Sequence, residues 1–442
     1  MLPPVTTGAA PPRELSRRAF LRAAAALGAS PFFASRARAA SGCLETVGSL
    51  QAADANGLML PAGFTSRVVA TTAENVAGTS YVWHSSPDGG ATFAKPDGGW
   101  IYVSNSEIAF AGGVGAIAFD ASGAIVGAYS ILSGTTANCA GGPTPWGTWL
   151  SCEEMSAGRV WECDPYTPGS NGVARPALGT FNHEAAAVAH GAQRVFLTED
   201  RIDGLLYRFT PTSYPSLAAG TLEAAQILDP NGQGAIAPGQ VRPLAWQVVP
   251  NPNPTGSQTA TRYQVASATP FNGGEGCWYR GALVSFSTKG DNRVWQVDPV
   301  ANTIRILYDY ATAPSPVLSG VDNVYTTPCG DVLVAEDPGN LEIVALTPGG
   351  LALPIVRLTG VSGTEITGPA LSPDGSRLYF SSQRNPGKTF EVAGPFVSTA
   401  AVPSLGGAWP IVLLGALGAA ALRAFSDVRA IPADARAAQV PG

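Results

Sequence analysis

Six short runs recur along the 442-residue chain: Trp100-Ile-Tyr-Val-Ser-Asn-Ser-Glu107, Thr148-Trp-Leu-Ser-Cys-Glu-Glu154, Arg194-Val-Phe-Leu-Thr-Glu-Asp200, Ala282-Leu-Val-Ser-Phe-Ser-Thr-Lys-Gly-Asp291, Asp331-Val-Leu-Val-Ala-Glu-Asp337 and Arg377-Leu-Tyr-Phe-Ser-Ser-Gln383. Each is a β-rich segment that finishes on an acidic or amide residue. Aligned on that ending they fall at 107, 153, 199, 291, 337 and 383, so every step is 46 residues except one of 92. A period in the forties with several strands per unit is the signature of a β-propeller. Other strands are legible around the fourth run, in Glu275-Gly-Cys-Trp-Tyr279, Arg293-Val-Trp-Gln-Val297 and Thr303-Ile-Arg-Ile-Leu-Tyr308. The chain therefore reads as all-β, a six-bladed β-propeller over residues 55–396, with seven blades as the alternative. The double step decides between them. Residues 229–270 are rich in Pro, Asn, Gln and Gly without a four-strand pattern, which favours an insertion over a degenerate blade. The last blade lacks an outer strand after Phe390-Glu-Val-Ala-Gly-Pro-Phe396. Phe64-Thr-Ser-Arg-Val-Val-Ala70 is expected to supply it and so remove the exposed sheet edge.

Composition agrees with this class. Gly (52) and Pro (37) are abundant, charged residues make up only 13%, and there are three His. Such a profile suits a large β domain with many tight turns. The net charge of −6, with no basic patch, argues against a nucleic-acid partner. Six cysteines, at 43, 139, 152, 163, 277 and 329, form no C-x-x-C pair and no dense framework, so their pairing is not readable from spacing.

Both ends carry targeting signals. Ser16-Arg17-Arg18-Ala19-Phe20-Leu21-Arg22, a modestly apolar stretch from Ala23 to Ala34, and the small-x-small site Ala37-Arg38-Ala39 together read as a twin-arginine signal peptide over residues 1–40. It implies passage through the twin-arginine export machinery to the periplasm, already folded. Residues 397–442 contain the apolar run Trp409 to Leu422, preceded by Val402-Pro-Ser-Leu-Gly406 and followed by Arg423 and Arg429. We expect an apolar helix there, serving as a membrane anchor or docked on the protein. The basic end would lie on the cytoplasmic side, placing the propeller on the outer face of the membrane.

In a propeller the first strand of each blade lines the central channel, so equivalent positions of successive blades form a ring at its mouth. Starts of the proposed inner strands carry Glu184, Glu275, Asp322-Asn323 and Glu365. Ends of the second strands carry Asn105, Glu107, Glu153, Glu154, Glu199, Asp200, Glu336 and Asp337. Crowded carboxylates repel and burial penalises their charge, and bound cations resolve both problems. Oxygen ligands suit calcium, and one thiolate among carboxylates suits iron. Cys152, beside Glu153 and Glu154, is the candidate thiolate. The bland reading is that these acids are solvated turn residues, as Asp120, Asp164, Asp298 and Asp374 are expected to be. No nucleophile elbow, Walker loop or H-E-x-x-H is present.

The ordered set Gly147–Glu154, Phe181-Asn-His-Glu-Ala185, Glu199–Phe209, Gly274–Tyr279, Gly290–Trp295, Gly320-Val-Asp-Asn323, Val334-Ala-Glu-Asp337 and Glu365–Gly375 resembles the PhoX-type alkaline phosphatase family, in a short variant. The resemblance implies an exported β-propeller phosphatase that hydrolyses small phosphate esters at a buried iron and calcium cluster. It implies Cys152 and Glu275 as iron ligands, with Glu153, Glu184, Glu199, Asp200, Asp322, Glu336 and Asp337 divided between iron and calcium. The family carries an arginine that contacts phosphate two residues before the glutamate matching Glu275, where this chain has Gly273. Arg201 and Arg384 are candidate replacements for that catalytic contact, with Arg280 and Arg293 behind them. Two other readings stand beside this one: a non-catalytic propeller that binds without turnover, and a calcium-only propeller hydrolase of lactonase type, which would have no use for a thiolate.

Overall fold

The computed structural model describes residues 42–229, 236–314 and 316–397. The twin-arginine segment and the apolar run from Trp409 to Leu422 lie outside them. Among the described residues no helix is long and apolar enough to cross a membrane.

The protein is all-β and propeller-like. Its strands form six antiparallel meanders, and in each the second strand is one of the six repeated runs. Unit I comprises Pro87–Ala94, Trp100–Ser106, Gly112–Phe119 and Ile125–Thr135. Unit II comprises Asn138–Pro143, Trp149–Glu153, Val160–Cys163 and Val173–Ala174. Unit III comprises His183–Ala189, Arg194–Glu199, Gly204–Ser213 and Ser216–Ile227. Gly274–Arg280 begins unit IV, Val321–Thr326 unit V and Ile366–Leu371 unit VI. Each of these first strands lies against the first strand of the next unit, and unit VI returns to unit I, so the inner strands close a ring.

Closure uses both ends of the described chain. Thr65–Thr71 pairs antiparallel with Lys388–Ala393, in a register running from Thr65 opposite Ala393 to Thr71 opposite Lys388. It is therefore the outer strand of unit VI, as the sequence pattern predicts. The preceding segment is fastened to unit V, through Leu58–Met59 pairing with Ala352–Leu358 and through a disulfide between Cys43 and Cys329.

The double step holds no four-stranded unit among the described residues. It contributes one strand, Val241–Val248, which pairs with the outer strand of unit III on one side and with Thr303–Asp309 of unit IV on the other. This joins the two units into one continuous sheet. Pro270–Phe271 then returns to pair with Leu205 and Gly204.

Aromatic side chains fill the wedges between neighbouring units. Tyr102 of unit I stacks on Tyr379 of unit VI with centroids 5.1 Å apart, and Phe119 of unit I packs against the same Tyr379 at 5.2 Å. Such pairs add about 0.5–1.5 kcal/mol beyond the area they bury. Near the axis the inner strands approach too closely for side chains. A Cβ on Gly142 would run into the Ala186 carbonyl oxygen of the next inner strand, and one on Gly276 into the Val324 nitrogen. Glycine at these positions lets the strands converge beneath the mouth.

Candidate active site

All six inner strands share one irregularity. Their pairing with the second strand slips at the same place: between Pro87 and Gly90, Asn138 and Gly141, His183 and Ala186, Gly274 and Cys277, Val321 and Val324, and Thr367 and Ala370. A β-bulge re-aims the side chains beside it. In units I to V the second residue of the inner strand lies within the slip, and these residues are Asp88, Cys139, Glu184, Glu275 and Asp322. All five are buried.

A second ring comes from the residue that follows each second strand. Around the six units these are Glu107, Glu154, Asp200, Lys289, Asp337 and Gln383. The two rings meet at the mouth. Four overlapping groups have ligand atoms within 4.8 Å of one another: Glu107 with Cys139 and Glu154; Asp88 with Glu107 and Glu365; Glu184 with Glu275 and Asp322; and Asp322 with Asp337 and Glu365. Sharing of Glu107, Asp322 and Glu365 makes this a linked set of eight carboxylates and one thiol. Asp200 adds a ninth negative charge, felt by Glu154, Glu275 and Asp322.

Few protein groups answer that charge. Lys289 Nζ lies 3.0 Å from Glu275, 2.9 Å from Asp337 and 3.5 Å from Asp322. Arg384 Nη2 lies 2.9 Å from Glu365 and 3.5 Å from Glu107. Gln383 Nε2 donates to Asp88 at 2.5 Å and to Glu107 at 2.8 Å. The Cys139 thiol donates to Glu184 Oε1 at 3.1 Å. Glu184 Oε2 is buried without a hydrogen bond, and Glu275 Oε1 has only its ion pair with Lys289.

Without added cations the acids cannot all stay ionised. Burial first, then Glu107 and Asp322, pushes the Asp88 carboxyl well up. Glu184 rises through burial and then through Glu275 and Glu154. Burial and Asp322 raise Glu275 against the pull of Lys289. Glu154 is pushed up to about 8 by burial, Asp200 and Glu107, and Glu365 to about 11 by burial, Asp322 and Asp88. Asp322 reaches only about 6, because Lys289 offsets its burial. Asp337 goes the other way: burial opposes ionisation, but the hydrogen bond with Glu365 and the ammonium of Lys289 outweigh it. Buried carboxylates crowded in this way are stabilised as anions by multivalent cations. The donor set fits them, with all-oxygen groups on one side and a thiol beside Glu184, Glu107 and Glu154 on the other.

The structure brings Glu184, Asp200, Glu275, Asp322, Asp337 and Arg384 to this mouth. It places Cys152, Glu153, Glu199 and Glu336 elsewhere. Cys152 is fully buried in an apolar cluster with Leu150, Val160 and Leu178. Glu153 accepts from the backbone nitrogens of Thr136 and Arg159. Glu199 accepts from Tyr207 Oη, the Leu205 nitrogen and Arg262. Glu336 accepts from the nitrogens of Ser319, Asn340 and Glu342. Each of these three glutamates is the last residue of its strand, and the next residue faces the channel. Successive side chains on a strand point to opposite faces, so one acid of each pair is held by backbone and side-chain donors away from the channel and its neighbour enters the ring. Arg201 donates from Nε to Asn182 Oδ1 and from Nη2 to Ser156 Oγ, and shows no ion pair with the ring. His183 is buried, stacked on Phe181 at 3.6 Å, with Nε2 at 3.0 Å from the Gly179 carbonyl.

Two members of the set escape the sequence pattern. Asp88 lies in Ser86-Pro87-Asp88-Gly89, which looks like the turn Ser372-Pro-Asp-Gly375. Cys139 has no acid beside it in sequence. The signal that finds both is their place one residue into an inner strand, just ahead of the glycines at 89–90 and 141–142.

A family model described as alkaline phosphatase PhoX matches residues 103–160 and 155–303. No curated protein sequence matches the chain. Among solved structures, Pseudomonas fluorescens PhoX in complex with vanadate, a transition state analogue, superposes with a TM-score of 0.64 at 16% identity, covering 78% of this chain and 97% of that one. A gluconolactonase, XC5397 from Xanthomonas campestris, covers 79% of this chain and 99% of its own at 12% identity, with a TM-score of only 0.42. The matched family model and the shared fold make this chain similar to the PhoX-type alkaline phosphatases.

Proposed function

We propose that this protein is an exported, closed six-bladed propeller phosphatase that hydrolyses phosphate esters at the mouth of its channel with the help of iron and calcium. In support, the family model that matches residues 103–160 and 155–303 is one of alkaline phosphatases. The observation that carries the reading is the linked set of eight carboxylates and one thiol, too crowded to remain anionic unaided. Cys139 with Glu184, Glu107 and Glu154 would hold iron. Asp88, Glu275, Asp322, Asp337 and Glu365 offer oxygen-only positions suited to calcium. Bound there, such ions supply Lewis acidity toward the phosphate oxygens. Arg384, with half its side chain exposed beside Glu365, is positioned to orient an incoming anion. Burial of the inner ring excludes bulk water from the reacting group and strengthens each of these contacts.

Elemental analysis of natively exported protein, paired with p-nitrophenyl phosphate turnover before and after chelation, tests this. Iron and calcium are expected, with turnover lost on chelation and regained on reloading. Folded protein that carries metal yet turns over no phosphate ester would leave a binding module instead.

Export through the twin-arginine route rests on the sequence of residues 16–39. The disulfide between Cys43 and Cys329 suits an oxidising compartment outside the cytoplasm. Replacing Arg17 and Arg18 by lysine is expected to trap the protein inside the cell, read by fractionation. Whether residues 397–442 hold it to the membrane is read in the same fractions.

A further inference from the structure

The ring of residues following the second strands is acidic or amidic in five units and cationic in one. At that position unit IV carries Lys289, and its ammonium contacts three site carboxylates, from Glu275, Asp322 and Asp337. An ordinary structural ion pair joins one cation to one anion, and both are commonly buried or both exposed. Here two of the three partners are almost wholly buried while a third of the lysine side chain remains open to the mouth. The neighbouring loop leaves that opening clear. Lys289 donates its backbone nitrogen to the Gly273 carbonyl at 2.8 Å. Gly273 has φ +69°, and a Cβ built there would meet Asp200 Oδ1 at 3.3 Å and the Lys289 Cβ at 3.8 Å, so glycine keeps a side chain out of the space between Asp200 and Lys289.

We propose that Lys289, alongside Arg384, is a cation of this chain that receives the phosphate group of the ester. Acids on three sides fix the ammonium at the mouth. Its remaining open side faces the direction from which a dianion enters. When other cations neutralise those acids, they compete less for the ammonium, and its charge becomes available to a phosphate oxygen. An ammonium serves here as a point charge with three donors, able to keep one carboxylate contact while gaining an anion.

This rests on the phosphatase reading, and the experiment separates the two. Lys289→Met and Lys289→Gln are prepared as exported holoprotein. Metal content, the rise in melting temperature caused by inorganic phosphate, and the KM and kcat for p-nitrophenyl phosphate are measured against the parent. The expected result is unchanged metal content, loss of the phosphate-induced melting shift, and a KM and phosphate inhibition constant raised at least about tenfold, with a smaller effect on kcat. Lys289→Arg is expected to restore part of the shift. An undiminished melting shift in Met or Gln variants overturns the proposal. So does a gain of divalent metal in those variants with phosphate inhibition unchanged, which would make the ammonium a built-in substitute for an ion. If the parent turns over no ester, the phosphatase reading fails, while the melting shift still decides whether Lys289 binds phosphate.

Discussion

Two buried cysteines one strand apart illustrate how little separates a ligand from a core residue. Cys139 and Cys152 are both inaccessible, and burial raises both thiols. Cys139 lies among Glu107, Glu154 and Glu184, whereas Cys152 is surrounded by aliphatic side chains. Cys139→Ser is expected to abolish iron binding while the fold persists. Cys152→Ser is expected to keep its iron and lose about 1–3 kcal/mol of stability, since it buries a hydroxyl among apolar groups. Elemental analysis with denaturant unfolding distinguishes them, and iron retained by Cys139→Ser would remove that residue from the centre. His84 gives a second residue-scale expectation. Its ring packs against Trp83 with both nitrogens shielded from solvent, and burial outweighs a backbone hydrogen bond with Asn105 to lower its pKa to about 4. The folded state thus refuses a proton that the unfolded chain accepts at about 6.5. The stability this histidine permits is complete above the unfolded value and declines as pH falls toward 4, by roughly 3 kcal/mol in all. Melting temperatures of the parent and His84→Phe between pH 7 and 4 are expected to diverge from their pH 7 difference by that component.

At the scale of strands, the second strand of every unit is legible because it is a short buried run, rich in apolar, β-branched and aromatic residues, that ends on a polar side chain. The first strand is less so. Its bulge breaks the period of two, and its glycines imitate turns, so Asp88 reads as punctuation. Sequence spacing also brings Glu153, Glu199 and Glu336 to the correct end of the correct strands, but not to the correct face, because a one-residue shift in a strand reverses the side on which a residue lies. Only the paired register distinguishes Glu153 from Glu154. Asn105 shows what the second strands contribute besides ligands. Its Nδ2 donates to the carbonyls of Cys139 and Ala140 at 3.0 and 2.8 Å, and its Oδ1 accepts from Trp149 Nε1 at 2.8 Å and Ser151 Oγ at 2.9 Å. It ties unit I to the bulge that presents Cys139. Asn105→Ala is expected to cost roughly 2–4 kcal/mol, because it leaves several buried groups unpartnered, and to lower iron content along with stability. Unchanged metal content in a destabilised variant would show that the bulge holds itself.

For the whole molecule, the ring and its outer closing strand were within reach of the sequence because a repeat fixes the architecture once its period is recognised. The strand that bridges units III and IV was not, since Val241–Val248 lies in a Pro- and Gln-rich stretch and gains its partners from two different units. Nor was the pairing of Cys43 with Cys329, which depends on how the first segment runs along unit V. The disulfide joins residues 286 apart in sequence, a separation at which chain-entropy arguments give about 5–6 kcal/mol. Cys43→Ser is expected to lower the melting temperature of oxidised protein and to abolish the effect of a reductant on it. A reductant shift that survives in the variant would indicate another pairing.

The closing strand also imposes a timetable. Thr65–Thr71 is made early but waits for Lys388–Ala393, which follow roughly 300 residues later. At ribosomal rates of about 5–20 residues per second, one side of the forming sheet stays open for some tens of seconds. During that interval it is a template for any other extended chain. A cell making this protein therefore needs to keep nascent copies apart, and crowding of ribosomes on its message is expected to raise the yield of aggregates rather than of finished rings.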